Sequence, residues 1–150
     1  MRHGEALSES ADPRRPLSDF GRQQVRSVGR LALERNAKPA GLFHSGILRA
    51  EETAQLLRSE LAIESCPLAM TGLLPEDDPF VVKAEVETFK EPMMLVGHLP
   101  HLQRLTGLLV AHDPERRIVD FAPANMVCLA RGDESWTVEW LIGPGYAKAR

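Results

Sequence analysis

Residues 93–102 read Met-Met-Leu-Val-Gly-His-Leu-Pro-His-Leu, and this stretch decides the architecture. The apolar run has strand length and no polar alternation. A strand of that kind is covered on both faces, as in parallel sheets. Pro100 then fits the opening turn of a helix, and "HLQRLTGLLV" continues it with helical spacing. A buried strand that ends on a histidine and feeds a helix is a unit of an α/β fold.

The same alternation extends in both directions. Upstream, "RPLSDFGRQQVRSVGRLALER" predicts a helix with Ser18 as N-cap and Val25, Val28 and Leu31 on one face. Asn36 to Pro39 closes it. "GLFHS" predicts a short strand, and "ILRAEETAQLLRSEL" a second amphipathic helix with Leu48, Ala54, Leu57 and Leu61 inward. "CPLAM" predicts another strand, "LLPEDDP" a loop, and "FVVKAEVETFKE" a third helix closed by Pro92. Downstream the pattern changes: "MVCLA" and "WTVEWLI" flank "RGDES" as an antiparallel hairpin. The expected fold is a three-layer α/β/α sandwich with a mostly parallel central sheet and a C-terminal antiparallel hairpin.

Bulk properties bound the function. The 150 residues suit one domain, and 43% apolar content supplies a core. A formal charge of -3 gives no basic footprint for nucleic acid. No run approaches a membrane span, and the charged first 15 residues do not resemble a signal peptide. The expected setting is the cytoplasm. Cys66 and Cys128 form no metal or disulfide pattern, and both are expected to be buried thiols.

Ligands of open parallel sheets sit beyond the carboxyl ends of the strands. Three such ends carry reactive side chains here. Arg2 and His3 end the first strand. Ser45 follows "GLFH", with Arg49 one helical turn further on, and His98 ends "MMLVG". Each cluster precedes a helix start, where free N–H groups favour an anion. Two guanidinium forks and two imidazoles around one anion describe a phosphate pocket. A neutral histidine can attack phosphorus, and a protonated one can stabilise transition-state charge. His98, His101 and His44 raise a rival reading as transition-metal ligands. Pro100 interrupts the first two, and no carboxylate stands at ligand spacing, so no metal or other cofactor is expected. His112 reads as a surface loop residue.

Four ordered motifs carry a resemblance. "RHGEA", "RPLSDFGRQQ", "HSGILRAEETA" and "VGHLPHLQRL" resemble the signature segments of the histidine phosphatase superfamily, the phosphoglycerate mutase-like fold. The chain is most similar to the small SixA-type phosphohistidine phosphatases, almost end to end, and "WLIGPG" resembles the closing hairpin of that subgroup. The resemblance implies that His3 is the phosphorylated nucleophile, with Arg2, Arg49 and His98 completing the pocket. A fixed acceptor for the second ring nitrogen of His3 is then expected, a backbone carbonyl around Gly4. Ser45 either caps the Arg49 helix or touches phosphate. Arg15 either reaches the pocket mouth or is solvated, and Thr53 is expected to pack or to bond back to its own helix. Glu76, Asp77 and Asp78 are the candidates for a general acid, a role the subgroup depends on less.

Two departures matter. In the family an apolar strand leads into Arg-His-Gly, whereas here only Met1 precedes it. Either residues lie upstream of the numbering, or the start was assigned late, or the strand is a stub. Large capping insertions are also absent, which implies an open site. Such a site suits a phosphorylated protein, such as a histidine phosphotransfer domain, or a small phosphoester.

Overall fold

The computed structural model describes residues 1–147. Strand β1 (Gly41–His44) lies between β2 (Leu68–Ala69) and β3 (Met93–Val96), parallel to both. Alternate side chains of these strands enter opposite cores. Leu42, Met94 and Val96 pack with Val25, Val28 and Leu57 on one face. Phe43, Met93 and Leu95 pack with Val82, Leu105 and Leu109 on the other. The first core is built with α1 (Asp19–Glu34) and α2 (Leu48–Glu60). The second is built with α3 (Pro79–Thr88) and α4 (His101–Ala111). Cover on both faces is why "MMLV" lacks polar alternation, and the expected three layers are present.

The tail forms the expected hairpin, β4 (Met126–Arg131) against β5 (Trp136–Ile142), followed by α5 (Pro144–Ala147). A bulge interrupts its register between Cys128 and Leu129. Between hairpin and parallel sheet runs the start of the chain. Arg2 forms a parallel bridge with Gly97. The Met1 nitrogen donates to the Leu95 carbonyl at 2.7 Å, and Gly97 N–H donates to the Met1 carbonyl at 3.0 Å. On the other side, Arg2 N–H donates to Asn125, and Ala124 N–H donates to His3. Residues 1–3 thus run as extended chain between β3 and the segment that leads into the hairpin. Below these residues, an apolar cavity of about 450 Å³ separates β3 from β4 and β5, lined by Met93, Leu95, Met126, Cys128 and Trp140 among others.

Ser18 is the N-cap of α1, its hydroxyl accepting from Gly21 N–H at 2.9 Å. Several expectations need correction. The inner stripe of α2 uses Ala50, Thr53, Ala54 and Leu57, while Leu48 is only half-buried. Helix α3 stops at Thr88 rather than running to Pro92. Phe89 turns extended there, and its ring meets Phe43 edge-on at 6.0 Å. Covering the strand takes precedence over one more helical turn. Cys66 is exposed and Cys128 half-buried, because β2 is a two-residue strand whose own side chains are exposed and offers Cys66 nothing to pack beneath. His112 is exposed as expected and closes α4 with a left-handed φ of 56°. No helix among the described residues is long and apolar enough to cross a membrane.

The loop carrying His3 lies directly on the first turn of α1. An added Cβ at Gly21 would collide with the Glu5 carbonyl oxygen, which also accepts from Ser18 N–H at 3.0 Å. Alanine normally favours a helix over glycine by ~1 kcal/mol. Here Gly21→Ala should instead destabilise by about 2 kcal/mol, because the contact is backbone and neither side can yield cheaply. Chemical denaturation checks the sign, and a stabilised variant would contradict this packing.

Candidate active site

The strand ends deliver their histidines to one place. His3 ends the extended residues 1–3, His98 follows β3, and their ring centroids lie 5.0 Å apart with planes tilted by 53°. Both are buried, at 8% and 2% exposure. His3 Nδ1 lies 2.7 Å from the Gly4 carbonyl oxygen. A carbonyl only accepts, so Nδ1 carries the hydrogen and Nε2 presents its lone pair. The Arg49 Nε–H donates to that lone pair at 3.3 Å. The fixed acceptor expected near Gly4 is therefore Gly4 itself.

Arg49 reaches His3 from the first turn of α2. Thr53, one turn on, donates its hydroxyl to the Arg49 carbonyl at 2.7 Å and accepts from Gly4 N–H at 3.2 Å. The expected back-bond exists, but Thr53 also ties the His3 loop to α2. That second role was not readable from the sequence, although Thr53 shares the i,i+4 face with Arg49. Arg2 is anchored by Nη1 donation to the Phe121 carbonyl at 2.8 Å, while its buried Nε makes no hydrogen bond. Arg15 has a left-handed φ of 48°, and its Nε donates to the Leu7 carbonyl at 3.1 Å. Its charge opposes protonation of both His3 and Arg49. Among the described residues, no ion pair to a carboxylate involves Arg2, Arg15 or Arg49.

Ser45 Oγ lies 2.6 Å from His98 Nε2 and accepts from Ile47 N–H at 3.3 Å. The N-cap position of α2 belongs to Ile47, which has no side-chain cap bond. Ser45 is therefore a partner of His98 and a turn former rather than the cap residue. In the loop before α3, Asp77 accepts from Leu74 N–H at 2.9 Å, and Asp78 is the N-cap of α3 through Phe80 N–H. Glu76 is exposed. Asp77 and Asp78 both act electrostatically on His101, which is fully buried. Among the described residues, no group of three or more His, Cys, Asp or Glu is gathered as for a metal ion.

Burial is the main reason that His3 is pushed down to about 4, partly offset by its bond to Gly4 and reinforced by Arg49, Arg2 and Arg15. Burial likewise pushes His98 down to about 3, with His3, Arg49, His101 and Arg2 adding to the effect. His44 and His101 are also lowered, by burial first. These values fall below the ordinary 6.5, so the unfolded chain binds protons that the folded chain excludes. Stability from these histidines should be complete above pH 6.5 and should fall progressively as the pH drops toward 4. Melting temperatures across that window test this, and a flat profile would contradict the neutral, buried state.

Comparison with solved structures gives the same fold. The protein histidine phosphatase SixA complexed with tungstate superposes with a TM-score of 0.86 at 23% identity, over 97% of this chain and 96% of that one. A protein of Agrobacterium tumefaciens that carries the SixA phosphohistidine phosphatase name gives 0.77 at 18%, over 94% and 93%. A mycobacterial glucosyl-3-phosphoglycerate phosphatase gives 0.69 at 16%, over 92% and 94%. No protein-family model and no curated protein sequence matches the chain. The chain has the phosphoglycerate mutase-like fold of the histidine phosphatases. Its paired imidazoles follow strand ends of that fold, and Arg49 reaches His3 from the first turn of α2.

Proposed function

We propose that this chain is a cytoplasmic phosphatase that works through a covalent phosphohistidine on His3. The observation that carries this reading is the state of His3: Nδ1–H is bonded to Gly4, and the Nε2 lone pair faces Arg49 beside His98. When phosphate enters, Arg49 turns its N–H from His3 Nε2 to an equatorial oxygen, and the freed lone pair attacks phosphorus while the bond to the leaving group breaks. Arg2 and Arg49 bind the equatorial oxygens, and His98 becomes an imidazolium as the bound dianion offsets its burial. Water then attacks phosphorus as the N–P bond breaks: its oxygen leaves in inorganic phosphate, His3 returns to its neutral form, and the proton that water sheds balances the one taken up by the leaving group. These side chains supply the positive charge, so the reaction requires no metal. Ser45 holds His98, and Arg15 meets the substrate at the mouth. Tungstate, a tetrahedral oxyanion like phosphate, is bound by the SixA protein with the same fold.

The substrate we infer is phosphohistidine on a protein, such as a histidine phosphotransfer domain. Its P–N bond is labile and depends little on a general acid, a role for which Glu76 and Asp77 remain the candidates. Resemblance to the mycobacterial enzyme favours a second reading, a small phosphoester. A labelled-phosphate panel separates them. Phosphohistidine protein should label the enzyme transiently and turn over faster than small esters, with the label stable to base and labile to acid. Equal, slow rates on every donor would overturn the substrate choice, and absence of any label would overturn the mechanism.

A further inference from the structure

His101 is fully buried at the first position of α4, where a leucine would cost nothing in desolvation. Neither of its ring nitrogens makes a well-formed hydrogen bond, although the Gly72 backbone lies close enough to favour its charged form. One other imidazole among the described residues shares this condition: His98 Nδ1 is also buried and unbonded. The two belong to a single turn, closed by Leu102 N–H donating to the His98 carbonyl at 2.9 Å.

Their needs are complementary. A neutral His98 satisfies Nε2 through Ser45. An imidazolium carries a hydrogen on both nitrogens, so its Nδ1–H requires an acceptor. The groups that face His98 electrostatically are His3, Arg49, His101 and Arg2. Arginine cannot accept. His3 has committed Nδ1 to Gly4 and Nε2 to Arg49. Of the side chains in that set, only the ring of His101 has buried nitrogens that lack a hydrogen-bond partner and can accept. Around His101, Asp77 and Asp78 favour its charge while burial and Arg104 oppose it. Burial is the largest of these influences, so the ring stays neutral and keeps an acceptor.

We propose that His101 is a positioning residue that accepts the Nδ1–H of His98 when an oxyanion in the pocket turns His98 into an imidazolium. This rests on the phosphate-pocket reading above. His101 does not touch the phosphate. It acts through His98, and the pocket's anion affinity depends on it.

The test uses inorganic phosphate as the probe, with calorimetry from pH 5.5 to 8.5 and nitrogen NMR of the His98 ring in the phosphate-saturated protein. His101→Leu should weaken phosphate binding about tenfold near neutrality, the effect of losing a hydrogen bond to a charged group. It should also move the titration of bound-state His98 to lower pH while leaving the melting temperature unchanged or higher. His101→Gln, which keeps an acceptor, should retain most of the affinity and the titration. Should His101→Leu fail to fold, His101→Met against His101→Gln carries the same comparison. Wild-type affinity and an unchanged His98 titration in the apolar variant would overturn this role alone. No phosphate binding by the wild-type protein would overturn the pocket reading, and this proposal with it.

Discussion

Replacing His3 with alanine is expected to remove the labelled phosphoenzyme entirely and to lower kcat/KM by ~10⁴-fold or more. In the proposed covalent mechanism His3 has no partial substitute. Among the imidazoles near His3, His98 engages Nε2 with Ser45 and has its Nδ1 buried. The variant should still fold. It loses the bond to the Gly4 carbonyl and leaves a small cavity, while the pairing bonds of residues 1–3 belong to the main chain. A stability loss of about 1 kcal/mol is the expected scale. Measuring label, rate and melting temperature on one preparation separates a missing nucleophile from a broken fold. A variant that folds and still accepts label would move the nucleophile elsewhere.

Arg49→Ala should lower kcat/KM by ~10²–10³-fold, the usual consequence of removing one preorganised charge donor from a transition state. The loss should fall mainly on kcat, because charge on the transferring group is greatest in the transition state. Arg49→Lys should recover little. A lysine brings a point charge but not the planar fork that matches two phosphate oxygens. The backbone anchor of this helical turn, Thr53 to the Arg49 carbonyl, survives both substitutions, so a folding defect should be small. Rates within threefold of wild type for Arg49→Ala would remove Arg49 from the chemistry.

Much of this was legible in the sequence, for identifiable reasons. The run Met93–Val96 announced a strand covered on both faces, and the two cores that divide its side chains bear that out. Ser18 announced a helix start through its local cap chemistry. His3, Arg49, Ser45 and His98 meet because parallel strands bring their carboxyl ends together whatever separates them in sequence. Other features depend on contacts that no local pattern encodes. Helix α3 ends early because Phe89 is needed over Phe43. Cys66 is exposed because the edge strand beside it is two residues long. Thr53 reads as an ordinary helical threonine until Gly4 is seen to pack against it. His101 was legible only as half of a histidine pair, and its burial is a property of the assembled layers.

The pairing of residues 1–3 on both flanks has a mechanical consequence. His3 rides a three-residue splice, held to Leu95 and Gly97 on one flank and to residues 124 and 125 on the other. Separation of the hairpin from the layer beside it would unfasten one flank of that splice and carry the imidazole away from Arg49. Amide exchange across this seam and loss of chemistry would then report a single opening event. On the proposed mechanism, the rigidity of the tail, remote in sequence, would set how long His3 stays aimed.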